Sequence, residues 1–166
     1  MRDWVIATDD PRASDVLELL QRHLAFANEH SPPDDVHALD VEGLLDPTVT
    51  FFSARREDGA LLAIGALKEL AGHHGELKSM HTATETRGRG IGRAMVEHLL
   101  SVARARGYER VSLETGSMAA FAPARSLYRA AGFEVCGPFG AYVPSRNSTF
   151  MDRRLGSALD LTGTDR

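Results

Sequence analysis

The stretch "TETRGRGIGRAM", residues 84 to 95, sets three glycines and three arginines between a run that reads as a strand and a run with helical periodicity. A strand that turns through glycines into a helix gathers the unpaired N–H groups of the helix's first turn around one point, and that point attracts anions. Glycines let a diphosphate approach the backbone closely, while Arg87, Arg89 and Arg93 add charge-assisted contacts. Counting excludes two guests. A P-loop needs G-x-x-x-x-G-K-[ST], but the sixth position from Gly88 is Arg93 and no Lys-Ser or Lys-Thr follows. The dinucleotide fingerprint G-x-G-x-x-G/A also lands on Arg93 when started at Gly88, and on Met95 when started at Gly90. What remains is R-x-x-G-x-G, as Arg87, Gly90 and Gly92, a pattern that a plain strand-to-helix turn can also carry.

The elements around this turn follow from periodicity. "DWVIATD" reads as an opening strand, and Asp15, Val16, Leu19, Leu20, His23, Leu24 and Ala27 form a helical stripe reaching about Glu29. "HSPPDD" breaks that helix, and "VHALDVEGLL" reads as a second, shorter one. "TVTFFSARR" and "ALLAIGALKEL" are strands joined through Asp58-Gly59, a hairpin dipeptide, and "GELKSMHT" is a third strand leading to the loop. Ile91, Met95, Leu99 and Val102 then lie at helical spacing up to Gly107. "RVSLETG" is a strand, and "PARSLYRAAGF" a helix with Pro123 in its first turn and Gly132 past its end. "FEVCGPFG" and "NSTFMDRRL" complete a mixed α/β layer fold, partly antiparallel and partly parallel.

The 166 residues, 43% apolar and 25% charged, suit one ordinary domain, expected over residues 1–155 and followed by a polar, frayed tail from Gly156. A net charge of −4 gives no bulk attraction to nucleic acid. The single Cys136 rules out an internal disulfide, and neither a signal-peptide run nor an apolar stretch of membrane-spanning length is present. A cytoplasmic protein without membrane or nucleic-acid partners is the expectation.

R-x-x-G-x-G after a strand, followed by a helix, a strand and "LYRAAGF", resembles the GNAT superfamily of acyl-CoA-dependent N-acetyltransferases over Trp4 to Leu155. "LKSMHT", "FAPARSLY", "PFGAY" and "STFM" are similar to its bacterial YsnE-type group. The resemblance implies a mostly antiparallel sheet of about seven strands flanked by about four helices. It also implies acetyl-CoA as co-substrate, its pyrophosphate held by Arg87, Gly88, Arg89, Gly90, Ile91, Gly92 and Arg93. Acetyl transfer to the primary amine of a small molecule, by direct attack in a ternary complex, is the activity expected. A peptide or protein amine is the nearest alternative, and a non-catalytic acyl-CoA sensor a third; a homodimer stays open.

Such chemistry needs three groups. An alkyl amine has a pKa of about 10.4, so something must take its proton. Glu76, in the strand before the loop, matches a family position that carries a general base; a solvent-facing strand glutamate is the alternative. The resemblance puts a backbone donor for the carbonyl oxygen near Met80, with the backbone of His81 and Thr82 pairing to the pantetheine arm. Tyr128 matches the family's general acid, against the alternative of a packed tyrosine. Seven positions earlier many members carry Asn, and Phe121 stands here instead.

Other residues draw attention for weaker reasons. His73, His74 and Glu76 resemble metal ligands, but adjacent strand histidines diverge, so no metal is expected. His81 sits beside the transfer centre, where an imidazole can contact the acceptor. Glu29, Asp34 and Asp35 in "FANEHSPPDDVH", against the alternative of a solvated loop, and Tyr142 in "PFGAYVP" are the remaining acceptor candidates. Glu76 would serve as base directly or through water.

Overall fold

The computed structural model describes residues 2–156, so the expected tail lies, Gly156 apart, outside the described residues. In chain order the elements are β1 (Trp4–Thr8), α1 (Ser14–His30), α2 (Val41–Leu44), β2 (Val49–Arg56), β3 (Leu61–Leu70), β4 (His74–Thr82), α3 (Ile91–Ala105), β5 (Arg110–Gly116), α4 (Ala122–Ala130), β6 (Glu134–Cys136) and β7 (Ser148–Arg154). The strands form one sheet in the order β1-β2-β3-β4-β5-β7-β6. Every neighbour is antiparallel except β4 and β5, whose connection passes through the glycine loop and α3. The mixed, mostly antiparallel seven-stranded sheet with four α-helices is the architecture expected.

The helices cover opposite faces of the sheet. β3 is apolar on both sides because its residues serve two cores in alternation. Ile64 and Ala66 pack with Val16, Leu19 and Leu20 of α1. Ala63 and Leu67 pack with Met95, Leu99 and Leu100 of α3, joined by Val111 and Leu113 of β5. Leu99 and Leu100 are fully buried, each contributing about 1.5–3 kcal/mol of transfer free energy. Arg55 of β2 ties α1 to the sheet edge, donating to Asp15 Oδ2 at 2.6 Å and Asp9 Oδ2 at 2.8 Å.

The second helix is shorter than its sequence suggests. Asp40 caps it, accepting from the Gly43 N–H at 2.8 Å, so the helix begins only at Val41. Asp40 serves the backbone better from outside the helix than within it, and the preceding Val36–Asp40 is non-helical chain. That segment becomes part of the site.

Two irregularities open the sheet. β4 and β5 pair only at His74↔Arg110, Gly75↔Val111 and Glu76↔Ser112; beyond these, β4 follows β3 to Thr82 and β5 follows β7 to Gly116. A wedge therefore parts the middle of the sheet. On β4, Ile64 pairs with His81 and Ala66 with Lys78, so Ser79 and Met80 together face Gly65. Ser79 takes φ +55° in this β-bulge, an uncommon conformation for a residue with a side chain.

Candidate active site

The loop after β4 is stapled down before it turns. Thr86 Oγ1 donates to the Leu62 and Ala83 carbonyls, and the Ala83 N–H also reaches Leu62. Gly90, at φ +80°, is the N-cap of α3, a left-handed conformation that costs a side-chain-bearing residue about 1–2 kcal/mol. The first intrahelical bond runs from the Ala94 N–H to the Gly90 carbonyl, so the amides of Ile91, Gly92 and Arg93 precede the helical ladder. They point at one end of a cleft of about 540 Å³ that occupies the wedge between β4 and β5. Arg87, Gly88, Gly90, Ile91, Gly92 and Arg93 line that end. Arg89 does not: it lines a neighbouring depression with Arg2, Trp4 and Arg56, which meets the cleft at Gly90 and Ile91.

The middle of the cleft is formed by Met80, His81 and Thr82 of β4 and by Leu127 and Tyr128 of α4. Past Glu76, β4 has no partner strand on its β5 side among the described residues, so its backbone there can pair with an extended ligand. Tyr128 is buried at the cleft wall, packed edge-on against Phe133. Burial pushes its phenol well above the ordinary tyrosine range, and the Glu114 charge acts in the same direction, so the hydroxyl keeps its proton.

At the far end, α1, the segment before α2, β4, β5 and the turn before α4 converge. Glu114 of β5 lines the cleft there, and burial pushes its carboxyl up to about 7, with the charges of Glu76 and Asp35 adding to the rise. Sequence reading passed over Glu114. Its one signal was the alternation in "RVSLETG", where Val111 and Leu113 face the core and Ser112 and Glu114 the other side.

Glu76 lies outside the cleft wall. It is 4% exposed, accepting from the Tyr142 hydroxyl at 2.5 Å, with Lys78 Nζ 3.4 Å from the same oxygen. Lys78 donates in turn to the Tyr142 hydroxyl at 2.9 Å and the His37 carbonyl at 3.0 Å. Tyr142 is thus the keystone of a buried network; burial and the neighbouring Glu76 charge raise its phenol far above the ordinary range. Glu29 also stays away from the cleft, an exposed carboxylate 3.8 Å from His30.

His81 does line the cleft, and it has a partner that the helical stripe concealed. His23 of α1 brings its Nδ1 to 3.2 Å from Nδ1 of His81. Burial lowers both imidazoles to about 4, and each is further depressed by nearby cations or by the other ring. At neutral pH the pair is uncharged, one ring donating to the other. Phe121 fills the place of the usual Asn. It lies against the bare Cα of Gly116, where an added Cβ would overlap its ring, and meets Phe26 edge-on at 5.3 Å. Arg125 fixes this corner by donating to the carbonyls of Gly116 and Met118.

A sheet parted beside a glycine-bent helix N-terminus leaves a cleft that an extended ligand can enter. Residues 13–133 match the Acetyltransferase (GNAT) family. The chain belongs to that family and is an acyl-CoA-dependent N-acetyltransferase. It is 45% identical over 150 residues to the uncharacterized N-acetyltransferase YsnE of Bacillus subtilis, covering 90% of this chain and 99% of that one. It is 35% identical over 156 residues to the IAA acetyltransferase of Azospirillum brasilense, covering 93% and 100%. The crystal structure of an acyl-CoA N-acyltransferase from Klebsiella pneumoniae superposes with a TM-score of 0.79 at 25% identity, covering 92% of this chain and 98% of its own.

Proposed function

We propose that the protein transfers an acetyl group from acetyl-CoA to the primary amine of a small molecule, by direct attack while both substrates are bound. One observation carries this reading: Glu114, with its carboxyl pushed up to about 7, and Tyr128, held protonated, line the same cleft from β5 and from α4. They are a base and an acid matched to opposite ends of one transfer.

The loop residues fit the donor. The open amides of Ile91, Gly92 and Arg93, with the Arg87 and Arg93 guanidiniums, receive the pyrophosphate. Gly92 keeps the approach narrow, since a Cβ there would stand 3.2 Å from Thr82 Oγ1. The backbone of Met80, His81 and Thr82 pairs with the pantetheine arm, and the Met80 N–H polarises the thioester carbonyl. Acetyl-CoA supplies an activated acyl group on a thiolate leaving group.

Glu114 accepts the proton of the incoming ammonium, and the freed nitrogen forms its bond to the acyl carbon. As the carbon–sulfur bond breaks, Tyr128 donates its proton to the sulfur, and the second proton that the nitrogen sheds on becoming an amide restores the phenol by way of solvent. Glu114 takes the base role that sequence reading assigned to Glu76, because Glu76 is already committed to Tyr142 and Lys78. Glu76 then holds the acceptor wall in shape. A cleft of about 540 Å³ walled by α1 and the segment before α2 favours a small acceptor over a polypeptide. The relative named IAA acetyltransferase likewise carries a small molecule in its name.

The test is an acceptor screen monitoring free thiol released from acetyl-CoA. Amine-dependent release with ternary-complex kinetics is the expected result. Tight acetyl-CoA binding with no release to any amine would favour a sensor, and a ping-pong pattern would overturn direct attack.

A further inference from the structure

The acceptor half of the cleft carries a charge asymmetry. Asp35 and Glu114 both line it. Asp35 has one short contact, accepting from Asn147 Nδ2 at 3.0 Å, which neutralises nothing. The single lysine on that half, Lys78, spends its donors on the His37 carbonyl, the Tyr142 hydroxyl and the Glu76 carboxylate. His23 and His81 bond to each other and are neutral at pH 7. The other cations that line the cleft, Arg87 and Arg93, stand at the opposite end with the glycine loop, Arg93 paired there with Glu97. A carboxylate entering the acceptor half thus meets two acids and no available cation.

The same half has an apolar wall at a defined distance. Glu114 and Gly116 are two residues apart on one face of β5, about 7 Å. The Gly116 position is where the Phe121 ring lies, with Phe26 edge-on beside it and His30 4.5 Å from Phe26. An amine carried two carbons from a flat ring spans that interval, with the nitrogen at the carboxyls and the ring against Phe121.

The geometry points to an acceptor class: a primary arylalkylamine that enters as a cation and bears no carboxylate on the carbon next to nitrogen. Asp35 holds the ammonium, Phe26 and Phe121 hold the ring, and amino acids of the same shape are turned away. This rests on the acetyl-transfer reading above.

The experiment compares kcat/KM for phenethylamine with phenylalanine, and for tyramine with tyrosine, by thiol release from acetyl-CoA. The amines are expected to exceed the matching amino acids by at least about tenfold. Equal or reversed ratios overturn the proposal. Asp35→Asn narrows the ratio through a rise in KM, whereas Asn147→Ala, which removes the same hydrogen bond but keeps the charge, leaves it wide; an unchanged ratio in Asp35→Asn also overturns it. Calorimetric titration of phenethylamine and phenylalanine onto the CoA-loaded protein reads selectivity without turnover. If no amine releases thiol, acetyl transfer fails, yet tighter binding of phenethylamine still upholds the selectivity; equal binding, or none by either, overturns it.

Discussion

At the loop end of the cleft the lining groups come from one stretch of chain, between Thr86 and Arg93, and much of what they offer is backbone. At the other end they are side chains from α1, the segment before α2, β4, β5 and the turn before α4, brought together only by the sheet. The first end depends on dihedral angles that glycine permits. The second depends on burial, which moves carboxyl and imidazole protonation away from ordinary values. The roles proposed for the two ends, grip on the donor and choice of acceptor, should therefore be separable by mutation.

The strongest break is Glu114→Gln. It should lower kcat/KM by about 10²–10⁴-fold while thermal stabilisation by CoA persists; the same exchange at Glu76 should cost far less, and equal losses would return the base role to Glu76. Wild-type activity should rise with pH through about 7 as Glu114 ionises, a limb absent in the variant. Stability runs the other way. The folded state holds the Glu114 proton more tightly than the unfolded chain, so this residue's contribution falls as pH rises from about 4.5 to about 7. Glu114→Gln should accordingly raise Tm by a few degrees at pH 8 and leave it unchanged at pH 4, a difference that melting curves resolve.

Tyr128→Phe comes next, with kcat reduced about 10²-fold and acetyl-CoA affinity nearly unchanged in equilibrium titration. At the other end, Gly90→Asp forces a side chain into φ +80° beside the anion site. CoA affinity should fall at least about tenfold, seen as a lost thermal shift; retained stabilisation would dissociate the loop from the donor. Arg89→Ala should change CoA affinity by less than about threefold, because its side chain lies in the neighbouring depression.

The contrast between the ends also governs what could be read from letters alone. Gly88, Gly90 and Gly92 announce a backbone requirement at the position where it is used, and the strand and helix periods on either side are long enough to type. The acceptor end has no such local signature. Glu114 reads as the wet face of an ordinary strand, and only the divergence of β4 from β5 turns that face into an enclosed wall. His23 fits a helical stripe, and its role appears when α1 crosses β4 next to His81. Tyr142 was legible as a candidate, but its bond to Glu76 spans 66 residues of chain. The overlong second helix is a local failure, decided by one hydrogen bond from Gly43 to Asp40.

The early parting of β4 from β5 also bears on solubility. A sheet's unpaired backbone normally sits on its rim, where another molecule can add a strand and start a fibre. Here a stretch of unpaired backbone lies in the interior, between two strands that remain joined at Glu76 and Ser112. A slot closed at one end admits a slender chain with a thin arm but not the flank of another folded sheet. The protein can thus keep an inner edge permanently available for its ligand without offering it to a second copy of itself.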